Sequence, residues 1–496
     1  KERHFDKTVG VEPTYEGDGL STPWTPRTII RALPILFALN DQYENAWKEA
    51  EVYRDTYYAE TEPRLQALDL EALSDAELAD QCREMVALHL EDNLKTVSIA
   101  FICEQAQEEF EPVIHRLNKR LPPEERIAPG DLITGLQNVA TAQPALTLQR
   151  LAQQALEAPD VRRAIVEGEP GGIPERLSDS AAGRAFWEQL QAIIKRFHYM
   201  AVIDEDLIYP RWDEDPTDAL VSLQSYVRVG EQLDPEGQRV VQRRKREEAA
   251  RCANAALKRG WRRLWFFERR GFFNKLHIVQ QYVWWREETR VVASHVFYHC
   301  RRVFLEQGRR WARAGILDAA DDIFYLRWPA ISAVLDGTAP PESLRERVAA
   351  YRRLKQRFRN FEPPNVIGLG SSTRRVRKKP GQKVYRGVPC SSGQVEGRAR
   401  VARTLEEARA LEPGEILVAR YTNPGWMPLF AVAGGIVIEE GGLLSHGAVV
   451  AREYGIPAVL SIEGATRLFE TGQRLRIDGG EGTVEAVTAP RGNRLI

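Results

Sequence analysis

Apolar residues recur at helical spacing through most of the chain, and the period changes only near residue 384. Residues 1–30 are rich in Gly, Pro and Thr without periodicity, which predicts an extended lead-in. A helix is predicted over 45–62, with Pro63 as its stop or kink. Another starts at Ser74, which can cap a helix with Glu77 three residues on, and a further amphipathic helix covers 94–118. The pattern resumes over 129–167, where Pro129-Gly130-Asp131 opens a helix and Pro144 interrupts it. Helices follow at 181–199 and 217–229, separated by an irregular segment at 204–216. Two long helices are predicted at about 235–269 and 272–314. A short extended piece at 321–326 and helices at 329–336 and 341–359 complete this part.

Residues 361–383 lose the helical period. They carry Pro363-Pro364, Gly368, Gly370, Ser371-Ser372 and a basic run from Arg374 to Lys379, the composition of an exposed linker. From 384 onward short strands alternate with short helices. Strands are predicted at 394–402, 416–419, 434–438, 458–460 and 475–477, with a turn at 478–480. The expected organisation is a multidomain chain: lead-in (1–30), mostly α-helical part (31–360), linker (361–383) and C-terminal α/β unit built from βα pairs (384–490).

Composition narrows the function classes. Charged residues make up 28% of the chain, yet the net charge is −1, so no overall field points to nucleic acid or a membrane surface. The basic run 243–246 is followed by Glu247-Glu248 and reads as a solvated helix face. No apolar stretch approaches the about 18 residues that a membrane span needs, and the first residues lack the apolar core of a signal peptide. Cys82, Cys103, Cys252, Cys300 and Cys390 are scattered and form no Cys-x-x-Cys pair. Neither a disulfide framework nor a zinc site is expected, and a cytoplasmic location is the default.

The chemistry concentrates in 441–457, Gly-Gly-Leu-Leu-Ser-His-Gly-Ala-Val-Val-Ala-Arg-Glu-Tyr-Gly-Ile-Pro. It follows the apolar strand at 434–438. Ser445 stands where a helix N-cap belongs, the spacing over 447–454 is helical, and Gly455 and Pro457 end it. His446 therefore opens a helix, among N–H groups without intrahelical partners. That place favours negative charge by roughly 0.3–1 kcal/mol and suits a bound or covalent phosphate. It also disfavours a protonated ring, so His446 is expected to be a neutral nucleophile at neutral pH.

This stretch resembles the phosphohistidine segment of the swivelling domain in phosphoenolpyruvate-utilising enzymes. The matched positions are Gly-Gly, two residues, Ser-His, then Ala-x-x-x-Arg-Glu-Tyr-Gly-Ile-Pro. The resemblance implies that His446 carries a phosphoryl group between two distant sites and that Ser445 neighbours it. It also implies that Thr422, in the loop Tyr421-Thr422-Asn423-Pro424-Gly425, lies near that phosphate, where a plain Asn-Pro-Gly turn is the alternative. Arg452 either meets the phosphate or forms an ion pair with Glu453 or Glu440.

A second constellation, Trp284-Trp285-Arg286-Glu287-Glu288-Thr289-Arg290, falls on the second long helix. Arg286 and Arg290 are four apart and share a face. Two adjacent guanidiniums repel unless an anion or carboxylates such as Glu287 lie between them. Alternatively they supply fork-like donors to a transferring phosphoryl group. The region resembles the drug-binding helical domain of the rifampin phosphotransferase family, with Arg290 where that family has Lys. Glu205, Arg211, Trp212, Glu214 and Pro216 match another family segment, but His198-Tyr199-Met200 stands in place of a Gly-x-Arg. His295 and His299 are four apart and each is a possible acceptor base, beside ordinary packing. No carboxylate is evident as a third ligand, so no metal is expected there. The aromatic residues of 261–298 suit a pocket for a bulky or aromatic acceptor.

The resemblance implies a phosphotransferase that relays a phosphoryl group from ATP through phospho-His446 to a small organic hydroxyl, with Mg²⁺ at the nucleotide site. No Gly-rich nucleotide loop and no strand-rich ATP-grasp pattern is found before 384. The nucleotide site is therefore expected on an ATP-grasp partner chain or on a domain outside this sequence. The alternatives are an ATP-dependent ligase using the same His, a fragment of a pyruvate- or phosphoenolpyruvate-handling synthase, and a non-catalytic interaction protein. The linker reading has a direct consequence. Limited proteolysis is expected to cut first within 361–383 and to release an intact C-terminal fragment, whereas first cuts inside the helical part would contradict it.

Overall fold

Ser74 caps the first long helix as its sequence indicates. Its Oγ accepts from the Glu77 N–H, and the Glu77 carboxylate accepts from the Ser74 N–H at 2.8 Å. The structure, a computed structural model, describes residues 14–16, 19–21, 43, 45–122, 125–136, 139–230, 234–259, 266–358, 384–422, 426–443 and 445–487. The linker segment 361–383 lies outside them, as do Trp261, Trp265 and Asn423-Pro424-Gly425. The helix that Ser74 starts, α1 (Asp75–Asn118), is 44 residues long. The sequence predicts two helices here. They are one because nothing between them breaks the chain and a continuous stripe, from Leu78 through Cys103 to Phe110, is buried.

The partner of that stripe is α5 (Phe266–Arg313), 48 residues long. Phe110 and Ile114 pack with Phe272 and Leu276 at one end, and Cys82 and Met85 with Val296 and Val303 at the other. Between α1 and α5 in sequence lie α2 (Gln143–Glu157), α3 (Thr217–Val229) and α4 (Pro235–Leu257), together with the helices Pro159–Val166, Ile173–Ser178 and Ala181–Arg196. Several boundaries differ from expectation. Pro144 begins α2 instead of interrupting a helix, because in the first turn its missing N–H has no intrahelical acceptor. Pro129 opens only a 3₁₀ turn, Pro129–Leu132. The helix α4 stops at Leu257, ahead of the predicted 269. The piece predicted as extended at 321–326 is a 3₁₀ turn, Ala320–Tyr325, started by the Asp322 carboxylate accepting the Ala319 N–H at 3.0 Å. Pro63 does not stop its helix. A π-helical turn, Tyr57–Thr61, precedes it, with the Glu62 N–H donating to the Tyr57 carbonyl, and Pro63 falls in the first turn of Glu62–Gln66.

In the lead-in, β1 (Thr14–Glu16) and β2 (Gly19–Ser21) pair as a hairpin. The C-terminal part is one eight-stranded mixed sheet. Its strands are β3 (Val384–Arg386), β4 (Val388–Ser391), β5 (Gln394–Ala402), β6 (Ile416–Ala419), β7 (Gly435–Ile438), β8 (Ala458–Leu460), β9 (Arg474–Asp478) and β10 (Thr483–Ala486). They lie in the order β3-β10-β9-β5-β6-β7-β8-β4, with β5 to β8 parallel. Every residue of β6 and β7 is buried, as a parallel strand covered on both faces requires. Leu417, Ala419, Ile436 and Ile438 pack towards the helix α6 (His446–Tyr454), while Ile416, Val418 and Val437 pack towards Ile462 and Phe469. The helical part followed by an α/β unit is the fold class read from the pattern. Among the described residues no helix is long and apolar enough to cross a membrane.

The two parts meet along α6. The Thr134 hydroxyl donates to the Arg452 carbonyl at 3.1 Å, and the Gly135 N–H to Glu453 Oε1 at 3.1 Å. Gln149 Nε2 donates to the Tyr454 hydroxyl at 2.5 Å, and the Ser392 hydroxyl to Asp131 at 2.8 Å. Burial at this interface pushes the Glu453 carboxyl up to about 7, against the pull of Arg452, Arg239 and Arg246. A raised carboxyl favours the protonated form in the docked state. Its contribution to docking is therefore complete below the ordinary carboxylate range and is lost as pH rises through about 7. Energy transfer between dyes on the two parts is expected to fall over that rise, and Glu453→Gln is expected to flatten the response. A response unchanged in that variant would place its origin elsewhere.

Candidate active site

The backbone of 441–447 is shaped by close approach. Gly441 has φ +133°, a conformation open to glycine, and the Ser445 N–H donates to the Gly442 carbonyl at 2.9 Å. Ser445 is the N-cap of α6, its Oγ accepting from the Ala448 N–H at 3.4 Å, and His446 is the first helical residue. The imidazole of His446 lies outside the described residues. At Gly447 a Cβ would stand 2.5 Å from Ile438 Cδ1 and 2.6 Å from Thr422 Oγ1. The helix start is thus pressed onto the end of β7, and Thr422 is held against its first turn. The Thr422 hydroxyl is buried without a hydrogen-bond partner among the described residues. Unmatched N–H groups of a first helical turn and an unmatched hydroxyl together form a place for an anionic oxygen.

Arg452 does not form the surface ion pair that was one expectation. It is 2% exposed, and its Nη1 donates to the Leu443 carbonyl at 2.7 Å and reaches Cys390 Sγ at 3.8 Å. It braces the loop that leads into His446. It is not a surface residue paired with a neighbour: Glu453 accepts from Gly135, and Glu440 pairs with Arg420 at 2.6 Å.

On α5 the structure brings Arg286 and Arg290 around a carboxylate. Arg286 Nη2 donates to Glu287 Oε1 at 2.5 Å, and the Thr141 hydroxyl to Glu287 Oε2 at 2.6 Å. Burial alone would raise the Glu287 carboxyl, but the charges of Arg286 and Arg290 and these hydrogen bonds hold it below its ordinary value. Arg290 also acts on Asp204, whose carboxyl burial pushes up. Burial pushes the Cys103 thiol up to about 12.

His295 and His299 converge on Glu62, which the sequence did not single out. Glu62 Oε1 is 3.1 Å from His295 Nδ1, and Oε2 is 2.9 Å from His299 Nε2. His299 has its second nitrogen, Nδ1, 3.4 Å from Arg302 Nη1, so both ring nitrogens are engaged. Burial lowers the pKa of His299. Of the aromatic residues expected around an acceptor, Phe272, Tyr282 and Trp285 are core, while Phe297 lines an apolar cavity of about 180 Å³ with Phe304, Phe324 and Trp328. Glu214 holds buried Arg301 through two bonds of 2.7 and 2.8 Å, so that segment acts as a fastener for α5.

Residues 411–482 match the model of the PEP-utilising enzyme mobile domain, and 106–287 match the fourth domain of rifampicin phosphotransferase. The chain carries a PEP-utilising mobile domain. Rifampicin phosphotransferase of Streptomyces sviceus is 31% identical over 360 residues, covering 70% of this chain and 40% of that protein. The same enzyme of Bacillus cereus is 29% identical over 373 residues, covering 73% and 42%. The prodigiosin synthesizing transferase of Serratia marcescens is 31% identical over 361 residues, covering 70% and 39%. The chain thus spans about two fifths of the length of these relatives.

The segment 441–457 was legible because its signals are local. Glu62 was not, because it lies 233 residues before His295 and nothing local marks it out. The close packing at Gly447 yields a stability test. Gly447→Ala is expected to lower unfolding free energy by roughly 1–3 kcal/mol through overpacking. Gly442→Ala, where a Cβ meets nothing within 4 Å, is expected to cost far less. Equal losses in urea melts would refute the contact.

Proposed function

We propose that this chain is the acceptor-binding and phosphohistidine-carrying part of a phosphotransferase, with His446 as the covalent carrier. One observation carries the reading: within the matched mobile domain, His446 opens a helix whose first turn faces a buried, unpartnered Thr422 hydroxyl. A ring nitrogen of His446 takes the β-phosphoryl group of ATP: the P–O bond to the α-phosphate breaks and AMP leaves, while the γ-phosphate is released to water as inorganic phosphate, and Mg²⁺ would neutralise the phosphates at an ATP-grasp site outside this sequence. The acceptor hydroxyl then attacks phosphorus, its proton passes to a base, and the P–N bond breaks to return the neutral ring. Ser445 and Thr422 would hold the phosphoryl oxygens. Arg286 and Arg290, with Glu287 between them, would meet the charge that develops in the second step, and Arg452 would keep the loop in place. His295 is the better of the two acceptor bases, since both nitrogens of His299 are engaged. Movement of residues 384–490 on the tether 361–383 would connect the two steps.

The relatives named for rifampicin support a bulky organic hydroxyl as acceptor. The similarity to a prodigiosin synthesizing transferase favours a second reading, in which the same carrier activates an acceptor for condensation. A stable phosphate ester among the products supports the first reading and a condensed product the second.

Incubation with the nucleotide-binding partner and β-labelled ATP is expected to put acid-labile label on the chain, and His446→Ala to abolish it. Arg286→Ala and Arg290→Ala are expected to charge normally but to transfer label to the acceptor ~10²–10³-fold more slowly. Label persisting in His446→Ala would refute the carrier assignment. Normal transfer in both arginine variants would make that pair structural.

A further inference from the structure

Behind the α5 arginines is a second polar cluster, built by three separate stretches of chain. Glu62, His198 and His295 each place one ligand-type atom so that the three lie within 4.8 Å of one another. The nearest measured pair, Glu62 Oε1 and His295 Nδ1, is 3.1 Å apart. Two ligands of a tetrahedral zinc ion, at bonds of about 2.0–2.1 Å, lie about 3.3 Å apart. His198 is prepared for the role. Its Nδ1 is 3.1 Å from the Lys195 carbonyl, which can only accept, so that nitrogen carries the proton and Nε2 keeps its lone pair. That Nε2 is buried and has no hydrogen-bond partner among the described residues. A carbonyl fixing the far nitrogen of a histidine is the arrangement that orients metal-binding imidazoles.

The carboxylate is held as firmly. The Tyr57 hydroxyl donates to Glu62 Oε2 at 2.8 Å, Gln66 Nε2 to Oε1 at 2.7 Å, and His299 lies at 2.9 Å from Oε2. The Tyr199 ring, its centroid 4.0 Å from that of His295, and the Tyr298 ring, 4.3 Å from His198, wall the cluster. Glu62 and His295 are buried and His198 is half-buried.

We propose that Glu62, His198 and His295 bind a divalent cation of the zinc class. The cation replaces the proton shared by Glu62 Oε1 and His295 Nδ1, which is released to solvent. Two imidazoles and one carboxylate suit zinc, and three protein ligands leave a fourth position for water or an organic oxygen. This inference rests on the cluster alone, although it uses the His295 ring that the phosphoryl reading takes as acceptor base.

The chain, stripped with chelator and titrated with Co²⁺, is expected to bind one equivalent with visible absorption bands of a low-coordinate site, and Zn²⁺ is expected to displace it. His198→Asn is expected to abolish the bands with the circular dichroism spectrum unchanged. Tyr57→Phe, which removes only a hydrogen bond to Glu62, is expected to weaken binding ~10- to 100-fold. Absence of saturable Co²⁺ binding in the unaltered chain, or equal binding in His198→Asn, would overturn the proposal.

Discussion

The contact between the first turn of α6 and the end of β7 is the constraint on which the site depends. At Gly447 there is no room for a side chain, so the helix axis is drawn close to the sheet with Thr422 against its first turn. Arg452 secures the same geometry from below, by holding the Leu443 carbonyl. A helix of nine residues has little stability of its own. Its order comes from the sheet beneath, from the brace, and from the partners that grip its C-terminal end. One short element thus has an end open to charge and an end closed by the helical part.

The helical part solves a different problem. A 48-residue helix carries two charged groups of residues along one rod. Arg286 and His295 are nine residues apart, about 14 Å along the axis at 1.5 Å per residue. Each group contains a carboxylate that burial would otherwise disfavour: Glu287 beside its arginines, Glu62 beside its imidazoles. In both places burial raises the carboxyl and the specific partners outweigh it. The rod is stiff because α1 lies along it over most of its length, so the separation of the two groups is fixed.

What the sequence disclosed follows from how local each signal is. Ser74 with Glu77, Ser445 with Gly455, and the apolar runs of β6 and β7 each act within a few residues, and each is found where the pattern put it. The continuity of α1 was not legible, because it is stabilised by contact with α5 over a hundred and more residues away. The 3₁₀ turn at 320–325 was missed because an Asp side chain bonding the backbone overrides a β-like composition. The shorter strands β3, β4 and β10, three or four residues each, carry too few positions for alternation to show. Arg286 and Arg290 were found because one helix spaces them. The gathering of Glu62, His198 and His295 was invisible because only tertiary packing brings three distant stretches together.

The π-helical turn at Tyr57–Thr61 has a consequence for how this chain tolerates change in length. A wide turn behaves as one residue inserted into an α-helix, and each inserted residue rotates everything after it by about 100°. Tyr57 lies before that offset and Glu62 after it, yet their side chains meet at 2.8 Å. The inward aim of Glu62 is therefore a matter of phase as well as of residue type. Loss of a single residue between 57 and 61 would restore a regular helix and swing the carboxylate out of the cluster, even with Glu62 and both histidines kept. Related chains should accordingly preserve the number of residues in this turn more strictly than their identity.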